Sequence, residues 1–339
     1  MTLPRALGWL LALALSLLAF DGQATTTCSA QVSTVAFGNV SATASTDTTA
    51  AITVTCTTGA VSVLGAVMVR MCLNIGEGAQ GGGLGITPRR LVNAQSDSLQ
   101  MQLYKDAART QVWGSSLVGA SATPLQFDLG YAVPLLGGSG SISQTLYARI
   151  PLQAGLAVGS DYLNQFAGGT TLLQYQYNEP LIGGAPIPAS CTAGGLGGGS
   201  AAVAFNATAG VPSLCSISAA SDLDFSAQPG IFATNRDYTS TLSMNCRRRT
   251  AWQIGLNNGQ NAAGTTRRMA NAAKTAFVPY ELYRNSPRTQ RWGNTLNTDT
   301  LSGTGSGGSE NFIIYGRVPG PQNLAPGSYS DVVTVTVTY

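Results

Sequence analysis

Apolar and polar residues alternate with period two over short stretches along nearly the whole chain, the pattern of half-buried β-strands. Ala51-Ile-Thr-Val-Thr-Cys56 and Ser240-Thr-Leu-Ser-Met-Asn-Cys246 each run into a cysteine, and Val67 to Leu73 and Gln144 to Ile150 alternate in the same way. Thr170 to Tyr177 puts Leu173, Tyr175 and Tyr177 on one face, and Asp331 to Tyr339 does so for Val333, Val335, Val337 and Tyr339. Between them, the stretch from Ser200 to Leu214 places Ala201, Val203, Phe205 and Ala207 on one side of a single predicted strand. Gly-rich and Pro-rich turns separate these runs, and no helical periodicity is sustained. The pattern predicts an all-β chain built as two immunoglobulin-like antiparallel β-sandwiches.

The two sandwiches are predicted to be copies of one unit. Leu103-Tyr104-Lys105-Asp106-Ala107-Ala108-Arg109-Thr110-Gln111-Val112-Trp113-Gly114 returns, without a gap, as Leu282-Tyr283-Arg284-Asn285-Ser286-Pro287-Arg288-Thr289-Gln290-Arg291-Trp292-Gly293. Arg89-Arg90-Leu91 matches Arg267-Arg268-Met269, and Leu146 to Pro151 matches Ile314 to Pro319. Gly159-Ser160 matches Gly327-Ser328, and the turns Phe37-Gly38 and Phe225-Ser226 correspond. So many ordered matches imply duplication. The boundaries that follow are a secretory signal over 1–24, a first domain over 25–199, a linking strand over 200–214 and a second domain over 215–339.

Residues 1–24 carry Arg5, an apolar run from Leu7 to Phe20 and a small-x-small site at Gly22-Gln23-Ala24, the signature of an export signal. The mature form is expected to be exported, with no transmembrane segment. Six cysteines in an exported chain favour disulfides. Equivalence between copies pairs Cys28 with Cys56 and Cys215 with Cys246, leaving Cys72 and Cys191 for each other, although six cysteines allow 15 connectivities.

Composition narrows the chemistry. The chain has no His, which removes His triads and His-ligated zinc; no catalytic residue, metal or cofactor is expected, and the chain is read as a non-enzyme. Charged residues make up 10% of it, with net charge +3 and Arg247-Arg248-Arg249 as the longest basic run, too short to imply nucleic acid. Gly76 to Gly85 lacks the Gly-Lys-Ser/Thr of a phosphate loop and reads as a turn. Asp222 with Asp224 reads as solvent-exposed, and Asn39-Val-Ser and Asn206-Ala-Thr are weak glycan-acceptor matches.

The copies differ at their ends. After Tyr177 the chain continues through a linker into the strand holding Val203 and Phe205, which can close the first sandwich in cis. The second copy ends on Val333, Val335, Val337 and Tyr339, which are expected to border an open cleft that accepts a strand from another chain, because unpaired apolar edges invite pairing. With only Thr25, Thr26 and Thr27 expected before Cys28 after cleavage, the protein is expected to accept a strand and not to donate one.

Cys28…Phe37-Gly38…Cys56, the Leu-Tyr-Lys/Arg-x-x-x-Arg-Thr-Gln-x-Trp-Gly segment in both copies and the C-terminal alternating strand resemble the spore coat protein U domain family, and in particular the two-domain tip adhesins of archaic chaperone–usher pili. The resemblance covers nearly the whole mature chain. It implies a periplasmic chaperone, an outer-membrane usher and an adjacent pilin subunit as partners, location at the pilus tip on the cell surface, and a first domain that attaches cells to abiotic or host surfaces during biofilm formation. A secreted carbohydrate-binding module and a structural coat or rod protein are the alternatives; the first would show a polar pocket with an aromatic platform, the second a donor strand at the mature N-terminus.

Loops after the second, fourth and sixth strands share one end of such a sandwich, here about 57–63, 114–143 and 178–199. In the first copy these are apolar, with Leu117-Val118 among them, where the second copy reads Arg247-Arg248-Arg249 and a Ser/Thr/Gly-rich stretch. Val61, Leu135, Leu136, Leu181, Ile182 and Ile187 are the predicted surface-contact residues, since exposed apolar loops are costly unless they bind something.

Overall fold

The computed structural model describes residues 25–60, 65–81, 85–118, 123–179 and 185–339. Among them there are strands and turns and no α-helix, so no helix is long and apolar enough to cross a membrane. The chain is an all-β, two-domain protein of immunoglobulin-like type. Its described residues divide into unit 1, within 25–152 and 161–209, and unit 2, comprising 153–160 and 210–339.

Unit 1 begins with β1 (Thr26–Val32), β2 (Val35–Asn39), β3 (Thr46–Thr58) and β4 (Gly65–Asn74). It continues with β5 (Arg89–Val92), β6 (Ser98–Tyr104), β7 (Leu125–Val133) and β8 (Gly138–Ile150). The last four are β9 (Gly159–Phe166), β10 (Leu172–Asn178), β11 (Gly197–Ala202) and β12 (Phe205–Val211). One sheet has the order β1-β3-β8-β6-β5-β9-β12-β2 and the other β11-β10-β4-β7. Alternation aims Ile52, Val54 and Cys56 of β3 and Val69, Met71 and Leu73 of β4 into one core, all fully buried.

Unit 2 comprises β13 (Cys215–Ala220), β14 (Ile231–Phe232), β15 (Arg236–Cys246), β16 (Ala251–Leu256), β17 (Arg267–Asn271) and β18 (Phe277–Tyr283). It ends with β19 (Leu301–Thr304), β20 (Ser309–Val318), β21 (Gln322–Asn323), β22 (Tyr329–Ser330) and β23 (Val335–Thr338). Its sheets run β13-β15-β20-β18-β17-β22 and β19-β16-β23, with a short β14-β21 pair. Leu242, Met244, Ile254, Leu256, Leu282 and Trp292 form its core. Disulfides join Cys28 to Cys56, Cys72 to Cys191 and Cys215 to Cys246.

The twelve-residue repeat is a structural device. It is a loop that turns back through Arg109 and Arg288, at φ 58° and 59°, and ends on Trp113 and Trp292, both fully buried. Each indole donates to a carbonyl of the facing sheet: Trp113 Nε1 to Leu73 O at 2.9 Å, Trp292 Nε1 to Ile254 O at 2.8 Å. Asp106 and Asn285 cap the loop by accepting from the backbone N–H of Thr110 and Gln111, and of Thr289 and Gln290, respectively.

Two sequence expectations change. The stretch 114–143 is not one loop, because it contains β7 and the start of β8. Asp128 and Gly130 broke the alternation there; Asp128 is satisfied across the sheet by Arg70, with Nε at 2.9 Å from Oδ1. The predicted single strand over 200–214 is two strands, β11 on one sheet and β12 on the other, broken at 203–204 where the chain changes layers. Inward parity survives the break, so Val203, Phe205 and Ala207 are all buried.

Candidate strand-acceptor groove and contact loops

In unit 1, β12 lies between β9 and β2 and completes the larger sheet. Its inward residues Phe205, Ala207, Ala209 and Val211 are buried, and Phe205 stacks on Phe166. The preceding strand, β11, covers β10, with Gly199 opposite Tyr175 and Gly197 opposite Tyr177. This explains the glycine run at 197–199: a Cβ on Gly197 would stand 2.5 Å from the Tyr177 ring and one on Gly199 2.6 Å from the Tyr175 hydroxyl, so only glycine lets the strand approach.

Strand pairing fixes which residues of unit 2 occupy the same places. Val92 of β5 pairs with Leu163, and its repeat equivalent Ala270 of β17 pairs with Ser330. Tyr162 therefore corresponds to Tyr329 and Phe166 to Val333. The Gly159-Ser160 and Gly327-Ser328 match is thus one residue out of structural register, because a shared turn dipeptide does not fix strand pairing.

On the far side of β22, where unit 1 has β12, no described residue of unit 2 pairs with it. The site there is a groove between 220–230 and 324–335, resolved as two cavities of about 540 Å³ and 590 Å³ that share Leu223, Asp224, Phe225, Met269 and Tyr329. Phe225 holds the place of Phe37, and the following residues, Ser226 and Gly38, make the same left-handed turn at φ 57° and 64°. In unit 1 this segment is β2, whereas 221–229 forms no strand.

Val333 and Val335 line the groove; Val337 packs on the core and Tyr339 is 53% exposed, and neither lines it. Sequence reasoning missed the opposite wall, Leu223 and Phe225, and Met269 and Tyr329. The signal was in the repeat, which places Phe225 with Phe37 and Met269 with Leu91. One edge of the groove is pinned by Asp331, which accepts from Tyr280 Oη at 2.7 Å and from the N–H of Gln260 at 2.9 Å and Asn261 at 3.1 Å. Burial and then this hydrogen bond push the Tyr280 phenol well above its ordinary value, so it stays a donor.

The second sheet of unit 2 shows the same difference. Leu173 pairs with Leu73, and Val337 pairs with Ile254, the two carbonyls that accept from the repeated tryptophans. Tyr175 and Tyr339 are then equivalent, yet Tyr175 is 6% exposed beneath β11 and Tyr339 is 53% exposed.

Of the predicted contact residues, Leu135 and Leu136 form the β7–β8 turn, closed by Gly137 N–H donating to Pro134 O at 2.9 Å, and Leu136 is 93% exposed. Ile187 is also exposed, held near Asn178, whose Nδ2 donates to Pro186 O at 2.8 Å. Val61, Leu181 and Ile182 lie outside the described residues.

A hydrogen-bonded chain ties β1, β3, β7 and β10 together near one end. Thr26 Oγ1 donates to Glu179, Thr26 and Thr58 share a 2.8 Å hydroxyl contact, and Thr58 and Tyr131 share one at 2.7 Å. Thr26 opens β1, Thr58 ends β3, Tyr131 lies two residues from the end of β7, and Glu179 follows β10. Burial raises the Glu179 carboxyl above its ordinary value, against the hydrogen bond from Thr26. Leu117 and Val118 are exposed but sit at the opposite end of β4, where Ser116 N–H donates to Asn74 Oδ1 at 2.9 Å.

Two segments, 14–164 and 201–336, match the model of the Spore Coat Protein U domain. Protein U of Myxococcus xanthus is 39% identical over 107 residues, 30% of this chain and 59% of that protein, so the chain spans about three-fifths of the length of this curated relative. Similar solved structures include the CsuC–CsuE chaperone–tip adhesion subunit pre-assembly complex of the archaic Csu pili of Acinetobacter baumannii, at TM-score 0.45 and 17% identity over 92% of this chain and 100% of that one. The CupB6 tip adhesin of Pseudomonas aeruginosa superposes at TM-score 0.31 and 11% identity over 93% of this chain and 96% of that one. Both superpositions are loose, and the architecture stands on the chain's own strand pairings.

Proposed function

The chain belongs to the Spore Coat Protein U domain family, and we propose that it is an exported pilus subunit that attaches cells to surfaces from the fibre tip. The observation that carries this reading is the contrast between β12 buried in unit 1 and the groove at the same place in unit 2. Unit 2 takes an extended strand from another polypeptide: first a periplasmic chaperone during passage to an outer-membrane usher, then the adjacent pilin subunit. The segment ahead of Cys215 that could otherwise be donated is consumed by unit 1, which supports a terminal place in the fibre. Unit 1 meets the surface with its apolar loops, and the exposure of Leu135, Leu136 and Ile187 supports apolar contact in biofilm formation.

Thermal unfolding of the full chain, with and without a nine-residue peptide of alternating apolar residues, tests the groove. The transition of unit 2 is expected to rise saturably with peptide, as mass action requires; no shift at millimolar peptide would refute strand acceptance. Replacing Leu135 and Leu136 together by Asp is expected to reduce attachment of piliated cells to polystyrene severalfold, and unchanged attachment would remove these loops from the contact.

A further inference from the structure

The two units differ in one wall of the strand site, and the difference bears on which strand fits. In unit 1 the first residue of β12, Phe205, lies flat on Phe166, the last residue of β9, with ring centroids 4.7 Å apart and planes 9° from parallel. The later inward residues, Ala207, Ala209 and Val211, are all smaller and buried. One aromatic ring anchors the strand at this end, and small side chains thread the remainder of the site.

In unit 2 the place of Phe166 is taken by Val333, which removes a ring from the wall. The neighbouring floor is made by Leu256, Tyr280, Leu282 and Ile314, and the cavity over them is about 540 Å³. These floor residues are themselves buried in the core, so none is free to swing up and fill the place of the lost ring. A phenyl group arriving there would pack on a valine where Phe205 packs on a ring, and a gap beside it would forfeit dispersion contacts with every atom lining it. A larger flat side chain recovers them.

Resting on the strand-acceptor reading, we propose that Val333 is a specificity-determining residue of the groove, and that the incoming strand carries opposite it an aromatic side chain larger than phenyl, followed by small residues. The partner strand so defined is the chain's own closing strand with its anchor enlarged. The cis strand is a template for the pattern, large then small, and the substitution at Val333 sets the size of the anchor.

The test uses the full chain and three fluorescent peptides: residues Val203 to Val211 of this sequence, the same peptide with F205W, and the same peptide with F205A. Fluorescence anisotropy is expected to show the F205W peptide binding at least threefold more tightly than the parent, and the parent at least tenfold more tightly than F205A. The V333F chain, which restores the wall of unit 1, is expected to invert the first preference and favour the parent peptide. Equal affinities for all three peptides, or the F205W preference retained on V333F, would overturn the assignment while leaving strand acceptance intact. Absence of binding by every peptide would overturn strand acceptance and this inference with it. Should V333F fail to fold, V333A widens the wall and is expected to enlarge the F205W preference; an unchanged preference there would equally overturn the role of Val333.

Discussion

Phe166 and Phe205 stack with 4.7 Å between ring centroids, although 39 positions separate their numbers in the chain. The contact joins β9 to the strand that completes unit 1, and both rings are buried. Replacing Phe205 by Ala is expected to destabilise unit 1 by about 3–5 kcal/mol, the usual cost of a large buried ring and its cavity. Differential scanning calorimetry should show the loss in one transition; a change under 1 kcal/mol would mean that β12 does not close the sheet.

Glycine at 199 meets the Tyr175 ring across the β10–β11 pair. Gly199→Val crowds that contact and is expected to cost about 1–3 kcal/mol as overpacking. The same variant should expose Tyr175, read as increased quenching of tyrosine fluorescence by acrylamide.

Arg89 and Arg267 are equivalent, fully buried guanidinium groups, each donating to the carbonyl of the repeated tryptophan at 2.7 Å. Burial pushes Arg89 down to about 9, still charged at neutral pH, and its side-chain acceptor is Gln102 at 2.6 Å. Arg267 instead faces the carboxylate of Glu281, which also binds Arg291 at 2.8 Å. Glu281→Ala strands the buried cation and is expected to cost about 3–5 kcal/mol. Glu281→Gln copies the arrangement of unit 1 and should cost less than half as much in urea denaturation; equal losses would show that the carboxylate charge, not an acceptor, is required.

Asp47 accepts from Arg149 Nε at 2.7 Å and Nη2 at 2.8 Å, and Asp237 accepts from Arg317 at the same two distances. These hydrogen bonds first, and then the charges of the neighbouring arginines, hold both carboxyls below their ordinary value. A lowered carboxyl stabilises the fold above its unfolded value, and that contribution disappears as pH falls through the folded one. Both sites are partly exposed, so Asp47→Asn and Asp237→Asn are each expected to cost only about 0.2–1 kcal/mol at neutral pH. The gap from the parent should close below about pH 4. Urea midpoints measured from pH 7 to pH 2 check this, and a gap that persists at pH 2 would assign it to packing.

Local chemistry in the sequence determined much of this protein. Period-two alternation marked β3, β4, β10 and β15, because a strand with one buried face writes that face into every second residue. The repeated Arg and Trp positions located the equivalent core sites of both units, since a buried guanidinium and a buried indole each need a fixed set of acceptors. Tertiary structure decided what no local pattern encodes. The break between β11 and β12 is a change of layer, and parity is the same on both sides of it. The equivalence of Val333 to Phe166 follows from inter-strand register, which depends on the pairings of β5 with β9 and of β17 with β22. The groove walls come from segments about 100 residues apart, 220–230 and 324–335, and only folding brings such distant stretches face to face.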